Sequence, residues 1–138
     1  MCWGVYLASP GPLRLIPWDA SRPALSAIPL KKQYESVRKQ FRFENVIELG
    51  SQTQCGCGFI DTDDGADDPR RAVVSELVSY LGEALAVAPE LEMFVCWEGG
   101  EAGEPAARLQ LTPFAFQAEM FPLGDDIQGG AGYARIAL

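Results

Sequence analysis

The chain has 138 residues, 48% hydrophobic and 22% charged, with a net charge of −8. That length suits a single domain, 1–138, with its own core, and no run approaches the roughly 20 apolar residues of a membrane span. The acidity argues against nucleic acid or an anionic membrane as partner, since both need a basic surface, and favours a basic or neutral protein. Histidine is absent, which removes the commonest general base and the commonest metal ligand together. The start of the chain has no basic segment and no small-residue cleavage site, so a cytoplasmic protein with four reduced cysteines is expected.

Residues 2–8 are apolar enough for a buried strand, and Ser9-Pro10-Gly11-Pro12 signals a turn. Leu13 to Ile16 reads as a second strand, which would make a hairpin with the first. Ala24 to Leu30 is a further extended piece, confined to an edge by Pro29. From Leu30 the period changes. Leu30, Tyr34, Val37 and Phe41 share one helical face, opposite Lys31, Lys32, Glu35, Arg38, Lys39 and Arg42. Asn45 to Leu49 reads as a strand, and Cys55 to Ile60 as another, at least in its latter half.

Residues 61–68 form an acidic loop by composition, with Asp68 as the cap of a helix and Pro69 in its first position. That helix is expected over 69–88, with Val74, Leu77, Leu81 and Leu85 buried and Pro89 as its stop. Leu91 to Trp97 is a strand with Met93, Val95 and Trp97 on one face and Phe94 and Cys96 on the other. A short strand at Leu109 and Leu111, a short helix over 114–120 and a final strand over 133–138 complete the chain. The order lacks regular strand–helix alternation. The fold class is therefore α+β, a mainly antiparallel sheet with two principal helices packed on one side.

The most unusual segment is Cys55-Gly56-Cys57-Gly58. Interior glycines weaken a strand, so at least one of them should have positive φ or sit at a bulge or chain turn. Three readings follow. Cys55 and Cys57, completed by Cys2 and Cys96, offer zinc four thiolates, though the spacing is not that of paired zinc cysteines. A reversible Cys55–Cys57 disulfide is the second. The third and plainest is two small buried side chains beside packing glycines. Nothing spells out a nucleophile–base dyad or a phosphate loop. The acidic loop also misses the calcium-loop spacing, with Gly65 at position five and Ala72 at position twelve.

Two functional readings result. The first is a small acidic, non-enzymatic protein-binding domain of the inhibitor or immunity-protein type, with no cofactor. It would use the acidic loops, with Asp63, Asp64 and Glu101, and the loop tryptophan Trp18 as contacts. The alternative is a thiol-based metal-binding or redox protein built on the Cys-Gly-Cys-Gly segment. Trp3 and Trp97 are read as core.

Overall fold

The computed structural model describes residues 2–60, 69–117, 121–123 and 131–138. Strands β1 (Trp3–Ser9), β2 (Ser26–Pro29), β3 (Asn45–Gly50), β4 (Leu91–Trp97), β5 (Ala107–Leu111) and β6 (Gly132–Ile136) form one sheet. The strand order is β2-β3-β1-β4-β6-β5. Every pairing is antiparallel except β5 with β6. Helix α1 spans Cys57–Ile60 and α2 spans Pro69–Leu85, while Lys32–Gln40 and Pro113–Gln117 are 3-10 helices. The fold is α+β with a mainly antiparallel sheet, as the element order predicts. Among the described residues no helix is long and apolar enough to cross a membrane.

β1 lies between β3 and β4, and its alternation sorts the core. Trp3, Val5 and Leu7 face α2, packing with Ile47, Leu49, Met93 and Val95 and with Val74, Leu77 and Leu81 of the helix. Tyr6 and Ala8 face the other way, into a smaller cluster with Val37, Val46, Phe94 and Cys96. The Lys32–Gln40 helix therefore covers the face opposite α2, and the two principal helices expected on one side divide between the two faces. Its 3-10 winding puts Tyr34, Val37 and Gln40 in a row, because three residues complete a turn. Val37 is buried in the row, and Gln40 Nε2 donates to the carbonyls of Glu101 and Gly103.

Two expected strands are not strands. Residues 13–16 make no hairpin with β1, because both edges of β1 are taken by β3 and β4. Only Ile16 bridges to the sheet, at Ala27, and the Arg14 carbonyl accepts the Tyr80 hydroxyl of α2. The apolar residues Leu13 and Ile16 pack against the α2-side core instead. Residues 55–60 form a turn running into α1, since their backbone bonds close locally around Ser51 and Gly56. The helix expected over 69–88 ends at Leu85, with Val74, Leu77, Leu81 and Leu85 buried. Trp97 is 38% exposed, so it is not core, although it stacks on buried Trp3 at 3.9 Å between ring centroids.

Candidate functional site: a three-thiol cluster

The turn between β3 and α1 is built on Ser51, which is fully buried. Its amide and its hydroxyl both donate to the Cys55 carbonyl, at 2.9 and 2.6 Å. The same hydroxyl accepts the amide of Gly58 at 3.0 Å. Gln54, with φ of 73°, supplies the left-handed residue that reverses the chain. The expected positive φ thus falls on a glutamine rather than on Gly56 or Gly58, although Gly56 does sit in a chain turn. Glycine is required there by close approach. A Cβ at Gly56 would stand 2.6 Å from Val5 Cγ2 and 2.8 Å from the Trp3 carbonyl oxygen, and one at Gly58 would collide with the Ser51 hydroxyl. In the sequence Ser51 stands in the polar run from Gly50 to Gln54, which reads as a connection. Its small hydroxyl before the two Cys-Gly pairs was the available signal.

This turn is fastened to the start of β1. The Gly56 amide donates to the Trp3 carbonyl at 2.9 Å, and the Trp3 amide donates to Cys57 Sγ at 3.3 Å. On the other side of the strand, the Glu98 amide donates to the Cys2 carbonyl at 2.9 Å. The result brings Cys2, Cys55 and Cys57 together, with all three sulfurs within 4.8 Å of one another and each residue half-buried. Cys96 does not complete the set. The β1–β4 register pairs it with Gly4, and its thiol turns into the opposite-face core to donate to Glu101 Oε2 at 3.3 Å.

The three thiols are not equivalent. Burial pushes Cys55 up, but hydrogen bonds from Thr53, from the Cys57 backbone and from the neighbouring thiols outweigh it and hold Cys55 below its ordinary value. Burial pushes Cys57 up to about 12. Cys2 is raised chiefly by its hydrogen bond to Cys55. Cys55 is therefore the thiol that ionises first, and its neighbours serve as donors to it.

Cys2 and Cys55 also line a cleft of about 130 Å³, walled by Lys31, Tyr34, Glu48 and Glu98. Lys31 is engaged with Glu48, its amide at 2.6 Å and its ammonium at 3.4 Å from the two carboxylate oxygens. The Tyr34 hydroxyl donates to Glu98.

Of the residues expected to contact a partner, Trp18 and Glu101 are described. Glu101 is 5% exposed and its carboxylate accepts the Tyr6 hydroxyl, the Cys96 thiol and the Gly99 amide, so it is an internal anchor and not a surface contact. Trp18 is half-buried. Asp63 and Asp64 lie outside the described residues, as does the Asp68 cap. Comparison with protein-family models, curated proteins and solved structures finds no match.

Proposed function

We propose that the protein holds a soft metal ion, with zinc as the best fit, on the thiolates of Cys2, Cys55 and Cys57. The observation that carries the reading is the convergence of three sulfurs from separate points of the chain, the start of β1 and the β3–α1 turn, within 4.8 Å. Sulfurs bound at about 2.3 Å to a tetrahedral ion lie roughly 3.8 Å apart, so small side-chain rotations suffice. Soft thiolates select zinc or monovalent copper over magnesium or calcium. Three protein ligands leave one position open, which is the arrangement of a reactive or exchanging site rather than a closed structural one.

The test is metal content and affinity of the reduced protein, read by competition with a chromophoric chelator. One equivalent should bind. Cys55→Ser and Cys57→Ser should each weaken binding by roughly tenfold or more, while Cys96→Ser should leave it unchanged. Failure of the reduced protein to take up zinc or cobalt, or an equal loss in Cys96→Ser, would overturn the reading.

A second reading is supported by the acidified Cys55 beside two further thiols, the arrangement of an attacking thiolate with resolving partners. A disulfide that forms reversibly in a glutathione series and disappears in Cys55→Ser would favour it. The reading as an acidic protein-binding domain retains the support of the −8 net charge, but Glu101 is withdrawn from its contact surface.

A further inference from the structure

We infer that Cys55 attacks a small hydroperoxide and takes one oxygen atom from it, and that Cys2 then closes a disulfide onto the oxidised sulfur. This inference rests on the redox reading above. The geometry around Cys55 carries it. The single hydroxyl proton of Ser51 goes to the Cys55 carbonyl at 2.6 Å. The Ser51 oxygen already accepts the amides of Gly58 and Thr53, at 3.0 and 3.3 Å. The Thr53 hydroxyl lies 3.0 Å from that filled oxygen and 3.4 Å from Cys55 Sγ, so its own proton is free for the sulfur. The Cys57 amide donates to the same sulfur. Two donors aimed at one sulfur favour its thiolate, the form that attacks an O–O bond.

Cys2 and Cys55 line the cleft and Cys57 does not, so a reactant entering there meets those two sulfurs. At about 130 Å³ the cleft is well below the roughly 300–1,000 Å³ of sites for larger organic ligands. It suits hydrogen peroxide, the smallest hydroperoxide, and hinders one carrying an aromatic group. Hydrogen peroxide is neutral. The charges of Lys31, Glu48 and Glu98 in the lining, and the N-terminal ammonium that acts on Cys2, therefore do not decide its entry. The Cys55 thiolate attacks one peroxide oxygen, the O–O bond breaks, and the other oxygen leaves as hydroxide and takes a proton to become water. Cys55 is then a sulfenic acid. Cys2 gives up its proton, attacks the Cys55 sulfur and expels hydroxide, which that proton neutralises to a second water. Two thiols are thus oxidised to one disulfide, and one hydrogen peroxide is reduced to two waters. Cys2 is the partner because its thiol is raised first by its hydrogen bond to Cys55 and next by the Cys55 charge, and oxidation removes that charge. Cys57 is raised first by burial, which oxidation leaves in place, and its sulfur holds the Trp3 amide.

The experiment uses the reduced, metal-free full chain, with Cys55 followed by dimedone trapping and mass spectrometry. At pH 7, hydrogen peroxide should oxidise Cys55 roughly tenfold or more faster than free cysteine, since more of Cys55 is ionised. Cumene hydroperoxide should react roughly tenfold or more slowly than hydrogen peroxide, because its ring does not fit the cleft. Thr53→Val should slow the reaction at pH 7 and move its pH midpoint upward, and Thr53→Ser should restore both. Cys57→Ser should still form the Cys2–Cys55 disulfide, whereas Cys2→Ser should stop at a dimedone-reactive Cys55. A rate no higher than that of free cysteine, equal rates for the two hydroperoxides, an unmoved midpoint in Thr53→Val, or a disulfide that closes undiminished in Cys2→Ser would each overturn the inference. The redox reading survives those outcomes if a glutathione series still forms a disulfide through Cys55. Absence of any disulfide with peroxide and in the glutathione series alike would overturn the redox reading itself.

Discussion

Gly56 shows how a single missing side chain sets the site. The turn crosses β1 close enough that the Gly56 amide bonds to the Trp3 carbonyl, and any Cβ would press on Val5 and on that carbonyl. Gly56→Ala should therefore cost about 1–3 kcal/mol, as overpacking does, measured by denaturant melts; a loss under about 0.5 kcal/mol would show that the turn can lift away. Glu101 makes the complementary case for a buried charge. Its carboxylate accepts three donors, from Tyr6, Cys96 and Gly99. Glu101→Gln replaces an acceptor oxygen with a donor and should cost about 1–3 kcal/mol in the same melts, because a buried donor is left facing another donor. An unchanged midpoint would mean that the loop carries Glu101 to solvent in solution.

At the scale of elements, α2 carries the best-defined energetics. Leu77 and Leu81 are fully buried between the helix and the sheet. Leu81→Ala should destabilise by about 2–5 kcal/mol, and a loss below about 1 kcal/mol would show that the helix does not seal the core. Its apolar stripe was legible in the sequence because it runs over several turns with a proline inside its start and another beyond its end. The 13–16 and 55–60 segments were misread for the opposite reason. Segments of four and six residues carry too little periodicity to separate a strand from a docked coil or a helical turn. What decided each case was a distant partner: Tyr80 for Arg14, and Trp3 for Gly56 and Cys57.

The whole molecule carries several buried acids whose ionisation folding opposes. Burial lifts Cys57 from 9.0, and Tyr80 and Tyr133 from 10.0, to about 12 in each case. Cys96 and Tyr6 are raised in the same direction by burial and then by the Glu101 carboxylate beside them. These groups favour the folded state while protonated there. Their contribution is complete below about pH 9, where the unfolded chain also keeps its protons, and is lost as the pH climbs toward 12. Stability of the metal-free protein should thus fall steadily above about pH 9 in denaturant melts. A flat profile to about pH 11 would show that the thiol and the phenols reach solvent.

By itself the sequence determined the α+β class, the central strands, the edge position of Pro29 and the buried stripe of α2, since these follow from local periodicity and proline placement. It also marked the Cys-Gly-Cys-Gly segment as special, because two glycines there have no use in a plain strand. Only the tertiary structure decided which cysteines meet. Cys2 lies far from Cys55 and Cys57 along the chain and joins them because Gly56 and Cys57 hydrogen-bond to Trp3. Cys96 is excluded because the β1–β4 register turns it toward Glu101. Strand register and turn docking depend on contacts between residues far apart in sequence, and periodicity within a short window carries no record of them.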